Sequence, residues 1–573
     1  MTARIARRAT LGLFAGLLAS ALLVRGLGSG PLALSLGGLA GIAYGLAFRF
    51  PPGATLDALM TAASLGIPLW VLVNLVLLPL ASARGPRWTA PEMRQLLPQL
   101  VGWVLYGTAL GLLAEAAAEI ARRWLGPESA PRLPPETNPR SVVILGGGFA
   151  GVATALELER RLGADRAVRV TLVSDVNALL FTPMLAEVAG SALEPSHISI
   201  PLRGSLRRTE VVRGPVRSID LDGRRVTVGA SARVELSYDH LVLALGSVTH
   251  HFGLPGVARH TLGFKSLREA VRIRNQVIDS FERADLEQDP VLRRELLTFV
   301  VAGAGFAGVE LAGALNDFAR SMLVDHPSLS ADDLAIVLLY PGDRILPELS
   351  LALSRYAQER LAARGVSFRA GARVSEAQPG AFVLSSGETI RGRTLVWTAG
   401  TAPHPILRTL GLELPERGSV VVDAHLEVPS RPELWAAGDC AAVLDARSHK
   451  PCPPTAQFAL REAKTLARNL HAALAGRRRR PFTFRSLGAL CVVGYQTACA
   501  ELRIPFTSRH LRFSGLLAWI LWRCIYVAKL PSLERKAKVL VDWAFEIFFP
   551  RDTVQTMDLE EAEPGRKAEG ASP

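Results

Sequence analysis

Cysteine is scarce in this chain of 573 residues, and it comes late. The five cysteines, Cys440, Cys452, Cys491, Cys499 and Cys524, all fall in the last quarter. No two of them have the C-x-x-C spacing, which excludes a thioredoxin-like redox couple and a zinc ribbon, and no metal site is expected. Reduced thiols fit a domain that faces the cytosol. A nucleic-acid recognition motif is also missing, although the formal net charge is +13. Without such a motif the charge fits a protein held against anionic lipid, or one that binds phosphate-rich cofactors, and no nucleic-acid partner is expected. No clear set of charged residues for ion translocation stands out, so a pump is not expected.

Apolar residues are abundant: the hydrophobic share is 49% and the mean hydropathy +0.24. The excess lies before Arg122 and again near the C-terminus. Leu11 to Val24, Leu32 to Phe48, Leu56 to Ala81 and Leu96 to Ala118 have lengths close to the ~20 residues that span a bilayer. The expectation is an all-α region of four transmembrane helices over residues 1–124. A Pro-rich and polar stretch, 125–140, then reads as a linker. Arg7, Arg8, Arg49, Arg122 and Arg123 fall on one side of such a bundle, and Arg84, Arg87 and Arg94 on the other. That bias places the N-terminus and the large domain in the cytoplasm, as part of a multi-pass protein of the cell (inner) membrane. Glu115 and Glu119, one turn apart, are expected at the interface, snorkelling out, rather than as a proton-handling pair.

The chain is organised around Ser141 to Gly151, SVVILGGGFAG. Val142 to Leu145 reads as a buried parallel strand, and Gly146, Gly148 and Gly151 follow with G-x-G-x-x-G spacing. The first glycine permits the turn, the second lets a pyrophosphate approach the backbone, and the third lets the helix pack on the strand. FVVAGAGFAG, Phe299 to Gly308, repeats the pattern at Gly303, Gly305 and Gly308. Two such loops point to two dinucleotides, each diphosphate lying on the positive end of a helix dipole.

After the first loop a helix continues to Leu162 and a strand runs from Val168 to Val173. An acid that binds ribose hydroxyls commonly ends that strand. Here Ser174 stands in its place and Asp175 follows, and either one reaches the same region. VRSIDLDGRRVTV, Val216 to Val228, alternates like a hairpin with Asp222-Gly223 at its turn.

The set GGGFAG, LLFTPML (Leu179 to Leu185), YDHLVLALGS (from Tyr238), AGAGFAGVELAG and ELWAAGDCA resembles the flavoprotein disulfide-reductase superfamily, whose members bind two dinucleotides. PPTAQFA narrows the resemblance to the type II NADH:quinone oxidoreductases, over about Ser141 to Asp552. The resemblance implies an α/β fold with two Rossmann-like domains: an FAD domain over 141–290 and 401–485, and an NAD(P)H domain over 291–400. Membrane-associated amphipathic helices would follow over 486–552, and a disordered tail over 553–573.

The resemblance assigns roles residue by residue. FAD would be held by Gly146, Gly148, Phe149, Ala150 and Gly151, with Ser174, Asp175 and Val216 toward the adenosine end. Phe181, Thr182 and Pro183 would lie near the flavin, Ala244 and Gly246 under the phosphates, and Gly438 and Asp439 at the ribityl chain. NADH or NADPH would use Gly303, Gly305, Phe306 and Gly308, with Tyr340 at the ribose and Gly400 where the chain returns to the FAD domain. Glu310 matches a family glutamate close to where the nicotinamide reaches the flavin. Ala456 and Gln457 match the pair at the flavin ring and quinone mouth.

Two departures bear on substrate choice. Tyr340 replaces the usual acid, which weakens rejection of a 2′-phosphate, and Arg344 lies close by in sequence. Arg461 replaces a second glutamine one helical turn after Gln457 and would donate hydrogen bonds to a quinone carbonyl.

The expected function is hydride transfer from NADH, or NADPH, to FAD, then reduction of a membrane quinone without proton pumping. Glu310, Gln457 and Arg461 are its catalytic residues, and the bilayer and the quinone its partners. The alternative is a membrane-anchored flavoprotein redox sensor, or an electron relay to a non-quinone acceptor. Sulfide:quinone oxidoreduction would need cysteines near the flavin, and none precedes Cys440. The sequence admits a homodimer. Near the C-terminus, Phe513 to Leu530 and Val539 to Phe549 mix apolar residues with Trp, Arg and Lys, as interfacial helices do.

Overall fold

The four apolar N-terminal segments are helices: α1 (Thr2–Leu27), α2 (Gly30–Ala47), α3 (Thr55–Trp70) and α4 (Ala90–Leu125), as a computed structural model of the protein places them. The structure describes residues 2–27, 30–47, 55–81, 90–125 and 139–555, apart from 164, 166, 230–232, 505, 506 and 508. Arg49, Arg84 and Arg87 of the charge bias, most of the linker and the tail from 556 lie outside the described residues.

α3 passes through a π-helical stretch, Val71–Leu77, before a last turn, Leu78–Ala81. α1 and α2 meet backbone to backbone. A Cβ placed on Gly12 would lie 2.2 Å from the Gly41 carbonyl oxygen, so only glycine allows this approach. Among the described residues, Leu59–Leu80 and Pro98–Ala121 are long and apolar enough to cross a membrane, and Ala9–Ala21 and Leu34–Leu46 are shorter apolar stretches. Glu115 corrects the expectation of an interfacial side chain: it is 3% exposed. The helix runs on to Leu125, so Glu115 lies inside it rather than at its end.

The first glycine strand, Arg140–Leu145, has parallel neighbours on both sides: His240–Leu243 and Val168–Ser174. Burial on both faces is why it reads as a continuous apolar run. The later strand Arg431–Ala436 joins the far edge of His240–Leu243, also in parallel. That pairing brings the Gly438-Asp439 turn to the first glycine loop across almost 300 residues of chain. The helix after the loop, α5 (Phe149–Leu162), packs on the sheet.

The second domain repeats the plan. Its five parallel strands run in the order Leu262–Gly263, Thr394–Trp397, Thr298–Ala302, Ala335–Leu339 and Val366–Arg369, with α6 (Phe306–Met322) after the second loop. The chain crosses between domains on an antiparallel pair, Ser247–Thr249 with Thr401–Pro403. The hairpin from Val216 is present as Val216–Asp220 against Arg225–Val228, and a third strand, Val234–Ser237, extends it.

α7 (Ala456–Leu474) follows the Asp439 turn and packs along α5. The C-terminal region then departs from the expected run of helices over 486–552. It opens with a three-stranded antiparallel sheet, Gly488–Val492, Ala498–Arg503 and His510–Gly515. Phe513 therefore lies within a strand, and α8 (Leu516–Lys529) starts only after Gly515, whose φ of 74° breaks the strand direction. α9 (Leu533–Phe548) completes the region. Leu516 and Leu517 of α8 pack against the N-terminal core formed by Trp70, Tyr106 and their neighbours, so the N-terminal helices and the C-terminal region share one apolar contact.

Candidate active site

Both glycine loops have the geometry that a dinucleotide needs. Gly146 and Gly303 turn at φ +118° and +116°, a conformation that only glycine adopts readily. α5 and α6 begin at Gly148 and Gly305, and neither N-terminus is capped by a side chain. Their free N–H groups and dipoles favour a phosphate anion. Nothing lies within 4 Å of a Cβ built on Gly148, so a ligand can approach the backbone there.

The first loop gathers most of the residues expected around it. A Cβ on Gly146 would touch the Ala244 carbonyl, which puts the Ala244–Gly246 turn directly beside the loop. Ser174 lies next to Gly147, and its buried hydroxyl has no protein partner, as expected of a group awaiting a ligand. The Gly214 N–H donates to the Ser174 carbonyl at 2.9 Å, which brings the hairpin start at Val216 to the same edge. Asp175 is exposed, and its carboxylate accepts from the Val176 N–H at 3.0 Å.

Gly438 turns at φ +78° beside Ala150 and Ala459, and Asp439 follows. The Ser247 hydroxyl donates to Asp439 at 2.6 Å, Lys265 donates to Ser247, and the Lys265 ammonium is 3.6 Å from the same carboxylate. Burial pulls the Lys265 ammonium below its ordinary pKa, against the pull of Asp439. Glu462 on α7 supports this turn from behind: its carboxylate accepts the Gly438 N–H at 2.8 Å, and burial raises it to about 7. The buried residues that line the loops, together with the free Ser174 hydroxyl, fit FAD.

The second loop is held by its own strand ends. The Gly303 N–H donates to the Leu339 carbonyl at 2.8 Å, and Thr398 donates to the Ala302 carbonyl at 2.9 Å. Gly400 lies against Phe252. Tyr340 is 3% exposed and packed in the core, with its hydroxyl unpartnered. Arg344, the nearby cation, is already committed: it donates to the carbonyls of Pro347 at 2.8 Å and Leu349 at 3.4 Å. Asp343 is exposed beside Tyr340.

Where the first nucleotide domain meets α8 the rings of Phe149, Phe181 and Tyr526 meet edge to face, at 5.8 Å and 6.1 Å between successive centroids. Thr182 sits exposed in the short 3-10 turn Thr182–Met184 that follows Phe181. Glu310, in the second turn of α6, accepts the Val492 N–H at 3.2 Å, and burial raises its carboxyl to about 8.

Ala456 and Gln457 open α7. The Gln457 amide makes two bonds: its oxygen accepts from the Leu487 N–H at 2.7 Å and its NH2 donates to the Gly488 carbonyl at 3.2 Å. These bonds tie the helix to the C-terminal sheet and fix the orientation of the amide. Arg461 is exposed and lies over the Phe484 ring at 5.4 Å.

Lys265, Ser247, Glu462 and Glu187 were not singled out by sequence. Glu462 carried one signal, an acid on the mostly apolar buried face of α7. The others become visible only when the strands bring them together.

Two parallel nucleotide-binding sheets, each with an open glycine loop, and a carboxylate at the end of a returning strand define a flavoprotein that binds two dinucleotides. Residues 140–463 match the pyridine nucleotide-disulphide oxidoreductase family, and residues 487–552 the NDH2 C-terminal domain. The type II NADH:quinone oxidoreductase Ndh of Mycobacterium tuberculosis is 32% identical over 435 residues, 73% of this chain and 90% of that one. The mitochondrial internal alternative NAD(P)H-ubiquinone oxidoreductase A1 of Arabidopsis thaliana is 28% identical over 72% of this chain and 84% of its own length. Among solved structures, NDH2 of Plasmodium falciparum in complex with NADH has the same fold, with a TM-score of 0.66 at 19% identity over 72% of this chain and 99% of that one. The chain belongs to the type II NADH:quinone oxidoreductases and is an oxidoreductase enzyme. The family match begins at residue 140, so α1 to α4 lie outside it.

Proposed function

We propose that this enzyme passes electrons from NADH through FAD to a membrane quinone, without pumping protons. The observation that carries the reading is the pair of uncapped helix N-termini at Gly148 and Gly305, with the ring cluster of Phe149, Phe181 and Tyr526 between the first domain and the C-terminal region. FAD, when bound, supplies the acceptance of hydride and its release as electrons. The chain's own residues bind, orient and shield. The N–H groups at the start of α5 hold the diphosphate. Ser247 and Lys265 fix the rotamer of Asp439, which accepts hydroxyl groups from the ribityl side. The N-terminus of α6 takes the nicotinamide nucleotide. Arg344 is committed elsewhere and Asp343 adds negative charge, and both favour NADH over its 2′-phosphorylated form. Phe181 and Tyr526 keep water from the reacting edge.

Quinone reaches the site from the side of α8, near Arg461 and Lys529, two cations close enough to oppose each other's charge. The four N-terminal helices lie in the bilayer, with the catalytic domain on the cytoplasmic side. This reading is supported by the lengths of Leu59–Leu80 and Pro98–Ala121 and by the outward apolar side chains Phe14, Leu39, Val101 and Ile120, each more than half exposed. α9 adds Val541, Phe545 and Phe549 as further exposed apolar side chains. A homodimer remains compatible with these surfaces.

The test is rapid mixing of the flavin-loaded protein with NADH and then with a short-chain quinone. Bleaching of the flavin by NADH and its return on adding quinone are expected. Failure of the first step would remove the dehydrogenase reading, and failure of the second alone would favour a relay to another acceptor.

A further inference from the structure

A cavity opens where both nucleotide domains meet the C-terminal helices, and four carboxylates line it: Glu187, Glu310, Asp317 and Glu546. Two of them are clamped by arginines. Glu546 accepts from Arg523 at 2.6 Å and from Arg551 at 3.0 Å. Asp317 is bonded to Arg364 and also accepts the Tyr495 N–H at 2.6 Å. The other two have one neutral donor each. Glu310 has the Val492 N–H. Glu187 has the Trp543 indole N–H at 3.2 Å, while the Arg523 guanidinium stays 3.8 Å away. Arg523 is held at that distance between the rings of Trp519 and Trp543, 3.8 Å and 4.4 Å from their centroids, and by its bond to Glu546.

The groups facing Glu187 are therefore known from each element around it: Arg523 on α8, Trp543 and Glu546 on α9, Arg551 beyond it, and Glu310 on α6. Burial outweighs the two arginines and raises Glu187 to about 7, and the charge of Glu187 in turn raises Glu310. With their carboxyls raised to about 7 and about 8, Glu187 and Glu310 are both poised to hold or release a proton around neutral pH.

The reaction needs such a group. A hydride carries two electrons and one proton, and a quinol holds two electrons and two protons. Each turnover, NADH + H⁺ + quinone → NAD⁺ + quinol, must take one proton from water into a site that excludes water. We propose that Glu187 is the group that takes up this proton from the cavity and passes it to the Glu310 carboxylate. The step moves one proton from the Glu187 carboxyl oxygen to the Glu310 carboxylate oxygen; Glu310 gives it up toward the quinone oxygen as the quinol forms, Glu187 is reprotonated from water, and no electron moves with the proton. The inference rests on the NADH:quinone reading above. Glu187 acts through Glu310 and touches no reacting atom, so it is a positioning and relay residue.

The test uses the full-length, flavin-loaded protein in lipid, with Glu187→Gln and Glu187→Asp. Reduction by NADH, reoxidation by a short-chain quinone and reoxidation by ferricyanide are followed separately across pH. Ferricyanide takes electrons without protons. The expected result for Glu187→Gln is a quinone step slowed about tenfold or more, most strongly above neutral pH, with the wild-type pH profile lost. The NADH and ferricyanide steps stay within about twofold, and Glu187→Asp recovers most of the quinone step. An infrared titration, which needs no turnover, should show carboxylic-acid intensity that falls around neutral pH in the wild type, and a wild-type minus Glu187→Gln difference that isolates one such band, distinct from those of Glu310 and Glu462. An unchanged quinone step and pH profile would overturn the proposal, and so would an equal loss in all three steps, which is what a purely structural role gives. A wild type that no quinone reoxidises would sink the NADH:quinone reading instead, and the infrared titration would still decide whether Glu187 holds a proton at neutral pH.

Discussion

Glu462 accepts a hydrogen bond from the Gly438 N–H at 2.8 Å, and this one contact fastens α7 to the turn that presents Asp439. The carboxyl is buried, 3% exposed, and its pKa is raised to about 7 by that burial. Because the folded value lies above the ordinary carboxylate value of 4.5, the folded state binds the extra proton between the two. Stability from this group is therefore full below about pH 4.5 and is lost as pH rises through about 7. Glu462→Gln keeps an acceptor for Gly438 and removes the titration. It should flatten thermal stability between these pH values, raise it by roughly 1–3 kcal/mol on the alkaline side, and leave flavin content unchanged. Glu462→Ala leaves the Gly438 N–H unsatisfied and should lower flavin content, read from the absorbance of the purified protein.

The choice of nicotinamide rests on the turn after the strand Ala335–Leu339. Tyr340 offers no charge, Arg344 is tied to the carbonyls of Pro347 and Leu349, and Asp343 is the exposed charge beside it. Asp343→Arg reverses that charge without touching the glycine loop. The KM for NADPH should fall about tenfold while that for NADH changes little, measured by steady-state assay with each donor. No change in the NADPH value would place the 2′-position away from this turn.

The pattern of strand, glycines and helix was legible at both loops because each rests on local rules: a doubly buried strand and a backbone that must turn at positive φ. Asp439 could be placed because its strand is apolar and its motif short. The support of that carboxylate was not legible. Ser247 comes from the crossing between domains, Lys265 from the turn after the strand Leu262–Gly263, and Glu462 from a helix whose register is set by packing on α5. Gln457 shows the opposite pattern. Its motif was clear, but the contacts of its amide with Leu487 and Gly488 were not, because they depend on a sheet whose short strands precede the apolar, Trp-containing helices and were read together with them. Glu115 was misplaced for a related reason: α4 outlasts its apolar run and ends at Leu125.

The N-terminal helices make a prediction of their own. Gly12 lies against the Gly41 backbone, where a Cβ would come within 2.2 Å of the carbonyl oxygen. Gly12→Val must push α1 from α2, at a cost of about 1–3 kcal/mol. Thermal unfolding in detergent should begin earlier in this variant, while flavin content and reduction by NADH stay at the wild-type level, since α1 and α2 lie outside the nucleotide domains. Loss of flavin in this variant would mean that the helices are needed to build the catalytic domain.

Tyr526 connects α8 to the flavin side of the site. Its ring is 6.1 Å from that of Phe181 and 4.7 Å from that of Trp522, and burial pushes its hydroxyl well above the ordinary tyrosine range. The hydroxyl therefore stays protonated at any working pH, and the ring rather than the charge does the positioning. Tyr526→Phe should be nearly silent. Tyr526→Ala removes the contact between α8 and Phe181 and opens the edge of the site to water. Its KM for a short-chain quinone should rise about tenfold, with the rate of flavin reduction by NADH within about twofold of wild type, as rapid mixing and steady-state titration would read separately. Equal damage to both half-reactions would mean that the ring holds up the whole junction. A loss in Tyr526→Phe as large as that in Tyr526→Ala would transfer the role from the ring to its hydroxyl.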